Sequence, residues 1–426
     1  MAWEPVLDGR LADEAWAAVR AIADHLDDAE PAHRVPVDAA LFWAYAAGAL
    51  DDDASQARFA EATDRLFDHI ERGFRSLALH GGLAGAGWVL THISDTDEDL
   101  AAGLREIDAG LIAHLEEVPW RDNYDLIGGL VGLGVYFLER QRGTDANSQP
   151  GITRGLALVV EQLAALAQPA AGGVTWHTAP EIIPWHRDRW PTGYYNLGVA
   201  HGVPGAIALL GAVAALPAPE LAAVAARARE LCEAATRWLR TQRLSPDPVG
   251  RFSSMIDSAS PGAAAGPPER ARTAWCYGDP GIAATLWAAA AHLGADAAEW
   301  RELAREVAAR PFELCRVADP NFCHGAAGLA HLCNRFYQAS GEPEFRDAAH
   351  RWYERALAMR RPGEGIAGFT TQRSPITEGG SLVLRASQEL LDGATGVGLV
   401  LLAGLRDEEP GWDRLVLCDI PVRDPA

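Results

Sequence analysis

Three side chains of the metal-binding type stand in two short stretches: Cys276 in RTAWCYGDPG, and the adjacent Cys323 and His324 in NFCHGAAG. Two thiols and an imidazole are the donors that suit Zn²⁺. Three protein ligands leave a fourth position open, which is the pattern of a catalytic zinc. A structural site would more often show four ligands in paired C-x-x-C spacing, and the sequence has no such pair. An open position on zinc can make hydroxide from water or hold a thiol as thiolate. His201 in NLGVAHGVPG and Asp125 in NYDLIGG add candidate acid/base groups, since histidine titrates near neutral pH and a carboxylate can orient it. Arg272, four residues before Cys276, could stabilise developing negative charge.

These residues share a setting. Each lies just ahead of a Gly-x-x-Gly that opens an apolar run. Six such segments begin at Gly82, Gly129, Gly202, Gly278, Gly325 and Gly393, at steps of 47, 73, 76, 47 and 68 residues. A step of 47 fits two helices and their turns. The run after each motif is apolar nearly all round, as expected of a helix covered on both sides. Between the motifs lie one-faced helices; in PELAAVAARARELCEAATRWLRTQ, Leu221, Val224, Ala228, Leu231, Ala235 and Trp238 recur at steps of three and four.

Buried helices alternating with amphipathic ones predict an all-α (α/α) toroid, an inner ring wrapped by an outer one. LADEAWAAVRAIADHL and ALFWAYAAGALDD look like a further helical pair without the glycines, for six to seven hairpins in a single domain over 1–426. No stretch shows convincing strand alternation. If the repeats are equivalent, the residues ahead of each glycine motif point to one mouth.

Taken singly, each candidate has a blander reading. Cys276 or Cys323 would be a small buried hydrophobe, His201 a satisfied histidine, Asp125 a helix cap, Arg272 a solvated loop charge, and Tyr277 a ring packed on Trp275. Equivalent positions in four repeats argue for them jointly. Cys232, Cys315, Cys333 and Cys418 keep the bland reading. His331 and Cys333 lie too far along their helix to join the cluster, seven and ten residues beyond the pair. His177 and His186 could cover the mouth. They lie in a Pro- and aromatic-rich loop over 167–196, expected to be ordered; a second loop over 244–271, rich in Pro, Gly and Ser, is expected to be partly mobile.

Composition excludes several classes. The net charge of −21 argues against a nucleic-acid partner. All 37 basic residues are arginine, which with so much Ala, Gly and Pro reads as genome composition. No apolar run is long enough and free enough of polar breaks to span a membrane. The acidic N-terminus lacks the pattern of a signal peptide, so a cytoplasmic protein is expected. Six irregularly spaced cysteines are not a disulfide framework.

NLGVAHGVPG, RTAWCYGDPG and NFCHGAAG, in that order and spacing, resemble the lanthionine synthetase cyclase (LanC-like) family, together with GGLAGAGW, YDLIGGLVGLGVYF and LLDGATGVGLVLLAGL. The resemblance covers essentially the whole chain. It implies a toroid with catalytic zinc on Cys276, Cys323 and His324. It further implies a precursor peptide already dehydrated by a partner dehydratase, whose cysteine thiols add to dehydroalanine or dehydrobutyrine to close thioether rings, a route to antibiotic peptides. His201 is the position that protonates the enolate; Asp125, Arg272 and Tyr277 match positions beside it. Histidine as third ligand, and no room for a fused kinase, lyase or dehydratase, imply the stand-alone class I cyclase, without membrane insertion but open to association with a membrane-bound synthetase complex. Two departures stand out: His80 in LHGGLAG, where an aromatic residue is expected, and no β-rich insertion between the first two repeats. Alternative functions are addition of glutathione to dehydroamino acids and a zinc-stabilised scaffold that presents peptide.

Overall fold

The computed structural model describes residues 3–28, 35–94, 98–143, 148–259, 269–373 and 383–422. The helices are α1 (Gly9–Asp28), α2 (Pro36–Leu50), α3 (Asp53–Arg72), α4 (Leu83–Ile93), α5 (Glu98–Leu115), α6 (Leu130–Arg142), α7 (Gln149–Leu166), α8 (Val203–Ala214), α9 (Ala222–Thr241), α10 (Asp279–Leu293), α11 (Ala298–Ala308), the single turn α12 (Phe312–Cys315), α13 (Ala326–Ser340), α14 (Pro343–Ala358) and α15 (Ala394–Leu405). Helices α2, α4, α6, α8, α10, α13 and α15 each pack on the next, and α15 packs back on α2, which closes a seven-membered inner ring. Outside it lie α3, α5, α7, α9, α11, α14 and α1.

The first pair joins the ring differently from the others. Helix α2 takes α3 as its hairpin partner, while α1 lies mainly against α15. The reason is the N-terminal strap: Trp3 Nε1 donates to Ala403 O (2.8 Å), and the N–H groups of Val6 and Leu7 both reach Gly404 O (2.9 Å). The outer helices are one-faced, with the expected stripe of α9 buried at Ala228, Leu231, Ala235 and Trp238. Inner helices approach through small residues; Gly211 of α8 leaves only 2.9 Å between its would-be Cβ and Ala289 of α10.

The Gly-x-x-Gly has a steric cause. Ahead of each inner helix but α2, the loop folds down over the first helical turn. The carbonyl six residues before the second glycine then lies 1.9 to 2.4 Å from where a Cβ would stand: Leu79, Leu126, Val199, Trp275, Phe322 and Leu390 against Gly85, Gly132, Gly205, Gly281, Gly328 and Gly396. No side chain larger than hydrogen fits. The six residues that supply these carbonyls are themselves buried apolar anchors. Loop carbonyls also take the N–H groups that a helix start leaves without partners: Ser76 O from Leu83, Asn123 O from Leu130, Asp319 O from Ala326 and Ser387 O from Ala394. The six helices consequently have glycine N-caps with no side-chain cap.

Among the described residues, seven strands of two or three residues, too short to show alternation in sequence, lie in the connections from an outer helix to the next inner one. β1 (Gln168–Ala170) pairs with β2 (Gly173–Thr175); β3 (His177–Thr178), β4 (Tyr194–Asn196) and β5 (Met255–Asp257) form a second sheet; β6 (Thr371–Arg373) pairs with β7 (Val383–Arg385). The aromatic loop over 167–196 supplies four of them, anchored by fully buried Trp176, whose Nε1 donates to Leu163 O (2.8 Å). Within the loop over 244–271, where partial mobility is expected, residues 260–268 lie outside the described residues.

Candidate functional site

The six loops are tied side by side, so their side chains share one rim. His80 N–H donates to Ile127 O (3.1 Å), Leu126 N–H to Ala200 O (3.2 Å), Cys276 N–H to Cys323 O (3.2 Å) and Cys323 N–H to Leu391 O (2.8 Å). Leu390 N–H then donates to Asp38 Oδ2 (2.7 Å) at the start of α2, where no glycine loop exists to receive it. Common spacing puts residues in columns. Five before the second glycine stand His80, Ile127, Ala200, Cys276, Cys323 and Leu391; the next column holds Gly81, Gly128, His201, Tyr277, His324 and Asp392.

On one side of the rim, single ligand atoms of Cys276, Cys323 and His324 all lie within 4.8 Å of one another, so these three could hold a metal ion. Cys276 is buried and the other two are half-buried. The Cys323 thiol hydrogen-bonds to Cys276; against burial, that contact, His324 and Arg272 pull the Cys276 thiol down to about 5. The same contact together with burial raises Cys323 well above the usual thiol range, because a second thiolate beside the first is opposed. Burial would lower His324, but Asp319 and Cys276 outweigh it and lift the imidazole to about 10. Both ring nitrogens of His324 have a carboxylate nearby, Asp319 Oδ2 at 3.5 Å from Nε2 and Asp392 Oδ1 at 3.6 Å from Nδ1. Asn321 pins the loop, accepting from His324 N–H (3.0 Å) and donating to Thr371 Oγ1 (3.1 Å).

Two repeats away, His201 Nδ1 meets Asp125 Oδ2 at 2.5 Å. Asp125 is buried and also accepts from Asn123 Nδ2 (2.7 Å) and Gly128 N–H (2.9 Å). His201 keeps 35% of its side chain exposed, so its other nitrogen is open to the mouth while Asp125 holds Nδ1. Tyr277 stands between the two halves, its ring centroid 6.4 Å from His201 and its hydroxyl accepting from Asn196 Nδ2 (3.1 Å); no stacking on Trp275 is formed, and Trp275 packs on Phe322 instead. Arg272 is exposed beside the thiols. The six inner helices that follow a glycine loop aim their N-termini at this mouth, and their partial positive charge favours anions there.

His186 does reach the mouth: its Nδ1 meets the Tyr194 hydroxyl (2.9 Å), and burial, then His201 and Arg189, push it down. His177 instead binds Thr192 O (2.9 Å). The remaining cysteines are buried and free, their thiols raised by burial, and His331 of α13 is paired with Asp413 of the C-terminal segment. Sequence reasoning missed Asp319, Asn321, Asn196, Asn123 and Asp392. A signal was present: nine residues before each second glycine stand Ser76, Asn123, Asn196, Arg272, Asp319 and Ser387, a wholly polar column that supplies the orienting groups.

No described helix is long and apolar enough to cross a membrane. No curated protein matches the sequence significantly. Among solved structures, nisin cyclase is similar in fold, with a TM-score of 0.68 and 17% identity over 91% of this chain and 91% of that one. The family model for lanthionine synthetase C-like protein matches residues 39–417, which include every inner-ring glycine motif and the cluster and pair residues Cys276, Cys323, His324, His201 and Asp125. The chain belongs to the lanthionine synthetase C-like family.

Proposed function

We propose that this chain, acting as one LanC-like unit, is a stand-alone zinc-dependent lanthipeptide cyclase. It adds cysteine thiols of a dehydrated precursor peptide to dehydroalanine or dehydrobutyrine in the same peptide, forming lanthionine or methyllanthionine. The observation that carries the reading is the cluster of Cys276, Cys323 and His324 on the same rim as the His201–Asp125 pair. The likeness to nisin cyclase supports it.

Zinc fits the cluster. Tetrahedral Zn²⁺ holds sulfur at about 2.3 Å and imidazole nitrogen at about 2.0 Å, so its ligand atoms stand roughly 3.5–3.8 Å apart; three atoms already within 4.8 Å need only small movements. When bound, zinc supplies the Lewis acidity that keeps a peptide thiol as thiolate at neutral pH. Asp319 or Asp392 orients whichever nitrogen of His324 faces away from the metal.

Attack of sulfur on the β-carbon moves the alkene electron pair onto the α-carbon and its carbonyl. His201 gives the α-carbon its proton, and Asp125 fixes the ring that does so. The proton released by the thiol replaces the one His201 gives up, so nothing leaves. Arg272 favours negative charge on the sulfur side, and Tyr277, held by Asn196, walls the space between sulfur and acid. A dehydratase must supply the substrate, and the cytoplasm is the proposed location.

Incubation of the zinc-loaded protein with a dehydrated peptide bearing one cysteine, followed by thiol alkylation and mass spectrometry, tests this. The expected product has unchanged mass and no alkylatable thiol. A thiol that remains alkylatable contradicts the reading.

A further inference from the structure

His80 has no task in the chemistry above, yet it occupies the column of Cys276 and Cys323. Its loop is joined to the Asp125 loop through His80 N–H and Ile127 O, and that loop to the residue before His201 through Leu126 N–H and Ala200 O. The imidazole accordingly lies beside the Asp125–His201 pair. Burial pushes it down to about 4, with Asp125 opposing and His201 adding to the shift, so it is neutral at physiological pH.

Two further observations single it out. Nε2 is buried with no hydrogen-bond partner among the described residues; a ring kept only for packing needs no nitrogen there, and such orphaned atoms in folded proteins are few. The neighbouring position, which carries His201, Tyr277 and His324 in other repeats, is Gly81, with nothing within 4 Å of a would-be Cβ. Gly128 in the next loop meets only Ala78, at 3.8 Å. The side-chain wall is therefore open beside His80, where a peptide backbone can lie, and His80 itself is half-buried.

We propose that His80 is a further catalytic residue of ring closure, donating an imidazole N–H to the carbonyl oxygen of the dehydroamino acid under attack while His201 protonates the adjacent α-carbon. The inference rests on the cyclase reading. The carbonyl is bonded to the α-carbon, so the group next to His201 is the one within reach, whereas Arg272 acts on the thiol side. A neutral imidazole polarises an enolate oxygen without surrendering its proton, as an imidazolium would. Nε2 is buried as it stands, so the donation requires the ring to turn toward the mouth.

The test compares wild type, His80→Phe, which keeps the ring's bulk, and His80→Gln, which restores a donor, in single-turnover closure of a dehydrated peptide. His80→Phe should close rings about 10²-fold more slowly, the effect of one lost oxyanion donor, with KM, bound zinc and Tm unchanged. His80→Gln should recover at least a tenfold part of that loss. Wild-type speed in His80→Phe, beside an active wild type, overturns the role of His80 and leaves the cyclase reading standing. A rate loss that tracks lost zinc or lowered Tm, or that Gln does not relieve, also overturns it. A wild type that closes no ring sinks both.

Discussion

Among the described residues, two histidine–aspartate contacts shorter than 3 Å, one at the rim and one inside the ring, have opposite fates. At the rim, His201 meets Asp125 at 2.5 Å; inside the ring, His331 meets Asp413 at 2.7 Å. The contacts are nearly alike, but the rim histidine is 35% exposed and the inner one is sealed at 0%. Asp413 has a permanent cation, Arg335, which binds both of its oxygens (2.5 and 2.7 Å) and also reaches Pro410 O (3.1 Å). Burial alone would raise Asp413; Arg335 and His331 hold it down to about 2. Asp125 has only neutral partners besides His201. A buried carboxylate already neutralised by arginine ties the C-terminal segment to α13. One that serves a histidine alone leaves that histidine able to exchange its proton with whatever enters the mouth.

The comparison can be broken from either side. Cys323→Ala should have the largest effect, removing ring closure altogether while Tm stays near wild type, because the thiol is a proposed ligand at the rim and supports little of the core. His201→Phe should slow closure by about 10² to 10⁴-fold, the usual contribution of a general acid, again with Tm unchanged. At the inner pair the outcome reverses. Asp413→Asn strands the buried Arg335 charge and should cost about 3–5 kcal/mol of stability, read by chemical denaturation, while the folded protein closes rings at the wild-type rate. Asp125→Asn is the counterpart, a rate defect without a comparable loss of stability.

The pH dependence sharpens the same contrast with smaller effects. Asp413 titrates at about 2 in the folded chain against 3.8 ordinarily, so its contribution is complete above about pH 4 and is lost as pH falls through 2. Asp413→Asn should remove that part of the acid transition. Asp38 has the opposite sign. Burial lifts it to about 7, so the folded chain keeps a proton that the unfolded chain releases, and stability falls between about pH 4 and 7 as pH rises. Asp38→Asn, which keeps an acceptor for Leu390 N–H, should flatten that slope in Tm against pH.

The sequence showed the toroid because its punctuation is steric: only glycine fits under the carbonyls of Leu79 or Phe322, so the motif survives wherever the loop folds back. Cys276, Cys323, His324, His201, Asp125 and Tyr277 were legible for the same reason, since they stand beside the motif. Asp319 and Asn321 were not, because their tasks depend on a hairpin strand, where Thr371 and Gln372 complete their hydrogen bonds from some fifty residues away. The partner of α1 was hidden too. Its amphipathic stripe says that it covers something, and only the strap to Ala403 and Gly404 decides that this is α15.

Zinc content measured beside Tm tests the central claim most directly, that the rim cluster is a metal site independent of the fold's own stability. Wild-type protein should bind a single zinc per chain, Cys276→Ala and Cys323→Ala should lose it, and both variants should melt close to wild type. Wild-type protein that binds no zinc, or variants that keep it, would contradict the account.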